Sequence, residues 1–202
     1  MKISSGGIIA ISIFGFIFLI VLIGLLSGVS IYNKLVTSEE NVNQSWANVQ
    51  NVYQRRADLI PNLVATVKGV ANFEQSTLTT VIEARAKATS VNINPKNLDE
   101  ASLQKFQSAQ DGLSSALSRL MVVVERYPEL KATQNFSELQ AQLEGTENRI
   151  TVERRNFNEA AQAYNAYLRS FPRNIIAGMF GFQKKAYFEA QKGAEVAPKV
   201  QF

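Results

Sequence analysis

The N-terminal part of the chain contains a continuous apolar stretch, which would be apolar on every face if it formed a helix. Residues 8–26 read IIAISIFGFIFLIVLIGLL, and no charged residue occurs from Ile3 to Asn33. A helix rises about 1.5 Å per residue, so about 20 such residues cross the ~30 Å hydrocarbon core of a bilayer. The pattern predicts a short N-terminal segment (1–7) and a transmembrane anchor helix (8–29). A cleaved signal peptide is the alternative, which we disfavour because its apolar core usually has only about 7–15 residues.

Beyond Lys34, apolar residues recur every three or four positions, the spacing of one helix face. Three such seams, at about 30–90, 95–127 and 136–171, predict an all-α fold with an antiparallel three-helix bundle over 30–171, packed like a coiled coil. No polar or Gly-rich stretch separates the anchor from the first seam, so the anchor helix is expected to continue into the bundle. The first seam consists of Tyr32, Leu35, Val42, Trp46, Val49, Tyr53, Ile60, Leu63, Val67 and Val70.

Proline residues predict the helix boundaries. Asn94-Pro95 is expected to start the second helix, while Tyr127-Pro128 and Phe171-Pro172 end the second and third, because the residue before Pro is pushed out of the helical region. Pro61 differs because it lies inside the first seam, where it removes one backbone donor and predicts a kink or joint.

Charged residues also lie on the seams. Glu39, Arg56 and Glu74 belong to the first, and Glu147 and Arg154 to the third. A buried charge is costly unless it is paired, so we expect ion pairs between helices that fix their register. A groove for a partner helix is the alternative. A catalytic site formed by the carboxylates of Glu39, Glu74 and Glu147 is a third possibility, but nothing in the spacing of these residues requires it.

The composition narrows the possible chemistry. The chain has neither Cys nor His, which excludes disulfides, thiolate nucleophiles, imidazole bases and His-based zinc sites. Ser114, Ser115 and Ser118 have no base at a motif spacing, and no phosphate-binding Gly loop is present. We therefore interpret the protein as non-enzymatic, with no cofactor and no metal.

The basic, aromatic tail (172–202) is the most distinctive remaining segment. From Arg169 onward, six basic residues stand against two acidic ones. Such a segment suits a membrane interface or a neighbouring subunit, and packing on the chain's own bundle is the alternative. A near-neutral body and a membrane anchor argue against nucleic acid. The predicted tail contacts are Phe180, Phe182, Lys184, Lys185, Tyr187 and Phe188.

Gly24-x-x-x-Gly28 is a pair of small residues near the end of the anchor. Such pairs let membrane helices approach closely, so the pair is a candidate for self-association. The alternative is that Gly is simply frequent in membrane helices.

Several longer motifs remain in the sequence. They include Tyr53-Gln54-Arg55-Arg56-x-Asp58-Leu59-Ile60-Pro61-Asn62-Leu63-Val64, Ala84-Arg85, Leu143-Glu144-Gly145-Thr146-Glu147-Asn148, Arg154-Arg155-x-Phe157-Asn158 and Gly181-Phe182. With these motifs the chain resembles the LemA family of bacterial membrane proteins, over nearly its whole length. The resemblance implies a single N-terminal membrane helix and a helical bundle, without an enzymatic activity. Some relatives in that family look like parts of systems that shape intracellular membranes, including magnetosome formation.

The motif around Pro61 carries a further hypothesis. Asp58 or Asn62 is expected to satisfy the backbone group that Pro61 frees, making a structural joint. Alternatively, Arg55, Arg56 and Asp58 form the contact to a neighbouring copy or partner.

Taken together, these features predict a single-pass scaffold that contacts lipid, forms a homo-oligomer and organises or remodels membrane. The alternative is an adaptor or regulator that binds another membrane protein, such as a protease or sensor kinase. We expect the bacterial cytoplasmic (inner) membrane, with the large C-terminal domain on the non-cytoplasmic side. One Lys on each side of the anchor decides little about orientation, and the oligomer number and the partner stay open.

Overall fold

The computed structural model describes residues 5–69, 73–95 and 98–189, with side chains from residue 13 onward. Most of the predicted N-terminal segment and the tail residues 190–202 lie outside this part. Within it, every regular element is a helix, which confirms the all-α prediction. The helices are α1 (Ser5–Lys68), α2 (Gln75–Ser90), α3 (Glu100–Val124), α4 (Pro128–Lys131), α5 (Gln134–Arg169) and α6 (Arg173–Met179).

α1 joins the apolar stretch to the first seam in one helix, as predicted. Among the described helices, only α1 is long and apolar enough to cross a membrane, with a mean hydropathy of 2.6 over its most apolar stretch. The helix also continues through Pro61 and ends seven residues later at Lys68.

The prediction of a single helix over 30–90, and hence of three bundle helices, is wrong. α1 ends at Lys68, and α2 begins at Gln75 and runs back along it, so that Arg85 of α2 bonds to Ala57 of α1. The apolar spacing persists across the break because both helices bury their apolar faces in the same cluster, which contains Val67 and Leu78.

The chain divides into two compact units. The anchor unit comprises, of the described residues, 5–41 and 163–184. The bundle unit comprises 42–162, apart from the gaps, and 185–189. α1 and α5 each contribute residues to both units.

Four long helical segments, from α1, α2, α3 and α5, form the described bundle unit together with the short α4, and α1 runs antiparallel to α5. Trp46 and Arg56 of α1 meet Phe157 and Glu147 of α5 in reverse order. An aromatic cluster and an aliphatic cluster fill the core. The aromatic cluster is Trp46, Tyr53, Phe106, Phe157 and Phe188. The other cluster is aliphatic apart from Phe136 and consists of Ile60, Leu63, Val67, Leu78, Val81, Ala88, Leu113, Ala116, Leu120, Val124, Leu130, Phe136 and Leu143.

α3 begins at Glu100, later than the predicted start at Pro95. The Asp99 side chain accepts a hydrogen bond of 2.8 Å from the Ser102 backbone N–H, which satisfies one of the unpaired donors of the first turn. This bond holds the pKa of Asp99 below its usual range. An N-cap, and not the proline, therefore sets the start of this helix.

Candidate functional site

Arg56 is the centre of a buried polar network in the bundle unit. Its side chain is only 2% exposed. Nη1 donates to Ser114 Oγ at 2.8 Å and to Glu147 Oε2 at 2.9 Å. Nη2 donates to Gln110 Oε1 at 2.7 Å and to the Gln110 carbonyl oxygen at 3.3 Å. The planar guanidinium thus joins α1 to α3 and α5 at once.

Gln110 extends this network to α2. Its Nε2 donates to the Ala88 carbonyl oxygen at 3.2 Å, near the end of that helix. Glu147, by contrast, is about half exposed, so water shares in stabilising its charge. One ion pair of the kind expected between the seams is therefore present, between Arg56 and Glu147. The network fixes the relative register of four helices.

Tyr53 lies directly beside this network. The Arg56 guanidinium carbon is 5.0 Å from the centre of the Tyr53 ring. Burial raises the pKa of Tyr53, although the charges of Arg154 and Arg56 oppose the shift. The phenol consequently stays neutral over the physiological range and is a packing group of the core.

The other predicted seam charges have different partners. Glu74 pairs with Arg126 at 3.1 Å on the exposed surface of the bundle unit, and bonds from the Ser76 hydroxyl and from Arg126 lower the pKa of Glu74. Arg154 lies over the ring of Phe188 at 4.7 Å. In the anchor unit, burial and the charge of Glu39 raise the pKa of Tyr164.

The backbone acceptor that Pro61 leaves without a donor in α1 is satisfied by a residue that sequence reasoning missed. Pro61 has no N–H, so the carbonyl oxygen of Ala57, four residues earlier, loses its helical donor. Arg85 Nε of α2 donates to that oxygen at 2.7 Å. The predicted residues do not fill this role: Asp58 accepts from Gln54, and the Asn62 carbonyl accepts from Thr66.

The predicted contact surface on α1 divides into two parts. Arg55 and Asp58 are exposed, in agreement with a surface that is open to a neighbour. Arg56 is buried among acceptors of its own chain, so its assignment to a neighbour contact is wrong. The spacing of the seam distinguishes the two arginines: Arg56 continues the inward face between Tyr53 and Ile60, whereas Arg55 does not.

The two glycines of the anchor have different surroundings. A Cβ added at Gly28 would lie 3.9 Å from Ile176 Cδ1 of α6, an ordinary van der Waals contact. A Cβ added at Gly24 would meet no described atom outside its own stretch of helix within 4 Å. Within the anchor unit, α6 therefore partly occupies the Gly28 position and leaves the Gly24 position open.

The first part of the tail belongs to the anchor unit. The ring centre of Tyr32 lies 4.8 Å from that of Phe180 and 5.7 Å from that of Phe182. Gly181, at φ +75°, ends α6: the Phe182 N–H donates to the Ala177 carbonyl at 3.0 Å across it. Only glycine adopts such a conformation without strain, so Gly181 sets the position of Phe182. Lys184 is exposed.

The next residues of the tail are held between α3 and α5 of the bundle unit. Phe188 shares two hydrogen bonds with the Asn158 side chain, of 2.8 and 3.0 Å. The Glu189 carbonyl accepts from Arg154 at 2.9 Å and from Gln107 at 3.1 Å. Lys185 and Phe188 are buried, whereas Tyr187 is partly exposed. The prediction of an outward contact is therefore wrong for Lys185 and Phe188, which pack on their own bundle.

Several grooves accompany these elements in the bundle unit. The largest of those described, about 830 Å³, follows α3 and is lined by polar residues that include Gln107, Asp111, Ser115 and Glu189. A smaller one of about 350 Å³ lies between α3 and α5, beside the Arg56–Glu147 pair. Among the described residues, no group of three or more acidic side chains is placed to hold a metal ion.

Comparison with known proteins agrees with this architecture. The family model described as "LemA family" matches residues 45–202. The chain is 26% identical to Magnetosome protein MamQ 2 of Paramagnetospirillum magneticum, over 81% of this chain and 66% of that protein. It is 25% identical to Magnetosome protein MamQ of Magnetospirillum gryphiswaldense, with the same coverage of both chains. It is 24% identical to Protein LemA of Metamycoplasma hominis, over 79% of this chain and 69% of that protein.

The chain thus spans about two thirds of the length of the curated relatives that it matches. None of these names is that of an enzyme. The apolar helix and these relatives together describe a membrane-associated helical protein. Since the family model covers well over half of the sequence, the chain belongs to the LemA family.

Proposed function

We propose that the protein is a non-enzymatic scaffold, anchored in the bacterial inner membrane by α1, that self-associates and organises or remodels the membrane. One observation carries the proposal: the large apolar side chains of residues 13–29 are exposed on all sides of the helix, from 41% at Leu22 to 77% at Phe14. Lipid, or another copy in lipid, is the environment in which such a surface is stable.

The chemistry of the bundle unit supports a structural role. The buried charge of Arg56 is used in bonds to three neighbouring side chains and one carbonyl. A guanidinium that is engaged in this way fixes the positions of helices. The names of the magnetosome relatives add support for a membrane-organising role. We place the bundle unit on the non-cytoplasmic side of the membrane, as expected for an anchor with Lys2 at its start.

Self-association uses two surfaces in this proposal. Gly24 has open space around it within the anchor unit and allows a second membrane helix to approach. Arg55 and Asp58 provide exposed opposite charges one turn apart in the bundle unit, which suits a reciprocal contact between copies.

Cysteine cross-linking in native membranes tests the first surface. The chain has no Cys, so each engineered thiol is unique. We expect disulfide-linked dimers from Gly24→Cys and few from Gly15→Cys, which also has open space but lies on the opposite face of the helix. Equal cross-linking at the two positions would show random collision and contradict the proposed helix contact.

Charge exchange tests the second surface. Arg55→Glu and Asp58→Arg are each expected to weaken assembly, and a mixture of the two variants is expected to restore it. An assembly that is insensitive to both single variants would exclude this surface.

The groove along α3 favours a second function, that of an adaptor for another membrane protein. The groove has a volume of about 830 Å³, and the polar side chains that line it can form hydrogen bonds to a segment of a partner protein. The two functions differ in stoichiometry. A scaffold is purified mainly with itself, whereas an adaptor is purified at about one copy per copy of its partner.

A further inference from the structure

An apolar stripe that no described residue covers lies on and beside α6 in the anchor unit. Phe171, Ile175 and Met179 follow one another at intervals of four residues and are 80%, 53% and 73% exposed. Residues four apart lie on one face of a helix, so Ile175 and Met179 of α6 point in nearly the same direction. Phe180 adds another ring that is 59% exposed. Exposed apolar patches of this kind mark contact surfaces in soluble and membrane proteins.

The opposite side of α6 is occupied by the chain itself. Ala177 is buried, and Ile176 Cδ1 comes within van der Waals reach of a Cβ at Gly28 of α1. α6 is therefore fixed against α1, and its exposed stripe has a defined position along that helix.

This position coincides with the end of the apolar segment of α1. Leu25, Leu26 and Val29 are the last strongly exposed apolar residues of the segment, at 64%, 65% and 60%, and Gly28 lies among them. One turn beyond Gly28, Tyr32 packs against Phe180 and Phe182. Aromatic side chains at this depth are typical of the boundary between hydrocarbon and headgroups. If α1 spans the bilayer, α6 therefore lies at the level of the headgroups.

The charges near the stripe suit the same environment. In the described anchor unit, four basic residues stand against two acidic ones. Arg169 and Lys184 flank α6 and are exposed, and the Arg173 guanidinium lies 4.2 Å from the centre of the Tyr167 ring. Basic residues beside an apolar stripe are typical of segments that lie in the plane of a membrane surface.

We infer that α6 is an interfacial foot: Phe171, Ile175, Met179 and Phe180 insert into the headgroup–acyl boundary of the same bilayer that α1 spans. The foot and the anchor then contact one leaflet at two points, which limits rotation and tilt of the anchor unit. This inference requires the membrane anchor but not the self-association proposed above, so the two succeed or fail separately.

Fluorescence quenching at single cysteines tests the foot in the full-length protein. Ile175→Cys and Met179→Cys carry a small fluorophore, and Asn174→Cys, exposed on another face of α6, is the matched control. The protein is reconstituted in vesicles of phosphatidylcholine and phosphatidylglycerol. Two quenchers are compared. One is a nitroxide attached to lipid near the headgroup boundary, and the other is dissolved in water. The emission of Trp46, the single tryptophan, reports that the bundle unit of each variant is folded.

We expect the lipid quencher to act on positions 175 and 179 more strongly than on 174, and the aqueous quencher to show the reverse order. This result places the stripe about 5–10 Å into the interface. Equal access of the aqueous quencher to all three positions would overturn the inference. The inference would also be overturned if both quenchers failed to reach positions 175 and 179 and if cysteines at position 175 of two copies formed a cross-link. A second copy would then cover the stripe.

Discussion

Residues 13–29 and 42–68 belong to the same helix, yet their apolar side chains have opposite surroundings. In the first segment the large apolar residues are exposed in every direction. In the second they recur at intervals of three or four and are buried, as at Val42, Trp46 and Val49. One segment therefore depends on lipid for its stability and the other on contacts within the chain. Apolar content alone does not separate these cases, whereas the distribution of polar residues around the helix does.

The largest expected effect comes from removing one aromatic ring from each segment. Trp46→Ala is expected to destabilise the bundle unit by about 3–5 kcal/mol, because the ring is fully buried among Phe106, Phe157 and Phe188. Phe14→Ala removes an exposed ring and should leave the unfolding of the bundle unit unchanged. Urea unfolding followed by circular dichroism measures both, since the first variant has lost its only tryptophan. If Trp46→Ala and Phe14→Ala lowered the free energy of unfolding equally, the two segments would not differ in the way described.

A smaller effect is expected from the two adjacent arginines of the second segment. Arg56→Met should cost about 1–3 kcal/mol, because the buried Gln110 side-chain oxygen loses its donor. Arg55→Met should stay within about 0.5 kcal/mol of the unchanged protein, since Arg55 is exposed. In the double variant Arg56→Met/Gln110→Leu, both partners are apolar and part of the loss should be recovered. Equal unfolding midpoints for the two arginine variants would refute the network.

The joint at Pro61 predicts a coupling between helices. Arg85→Met should cost about 0.5–1.5 kcal/mol in the presence of Pro61, because the Ala57 carbonyl loses its donor. In a Pro61→Ala background the restored N–H of residue 61 can bond to that carbonyl, so the same change should cost less. A double-mutant cycle measures the difference. Additive effects would mean that Arg85 does not compensate for the proline.

The smallest expected effect is a pH dependence at the start of α3. The Ser102 N–H lowers the pKa of Asp99 in the folded state. Its contribution to stability is therefore present above the unfolded pKa of about 3.9 and is lost as the pH falls through the folded pKa. We expect the melting temperature to fall less on acidification for Asp99→Asn, which keeps a neutral cap acceptor, than for the unchanged protein. Parallel acid profiles would exclude this contribution.

Much of the fold follows from spacing alone. The seam predicted Trp46, Tyr53 and Ile60 as buried, and the structure confirms them because helical periodicity is a property of short segments. The break between α1 and α2 was missed because Val67 and Leu78 bury into one cluster, and periodicity does not show that the chain has reversed direction.

Less of the candidate site than of the fold could be predicted from the sequence. The seams predicted ion pairs between helices, and Arg56–Glu147 is one of them, although the sequence did not assign the partners. The bond from Arg85 to Ala57 depends on how α2 folds back, which no local pattern encodes. The tail was treated as one segment, whereas Phe182 packs in the anchor unit and Phe188 in the bundle unit. The exposed stripe has a signal in the sequence, because Phe171, Ile175 and Met179 are spaced four residues apart. This spacing points to a membrane contact only once the structure shows Ile176 beside Gly28, at the end of the apolar segment of α1.

The central claim is that the protein self-associates in its membrane. The most direct test is the mass of the particles obtained when the native membrane is extracted together with its lipid, without detergent. We predict particles with several copies of the chain and a shift toward fewer copies for Arg55→Glu. Particles with a single copy at native expression levels would contradict the account.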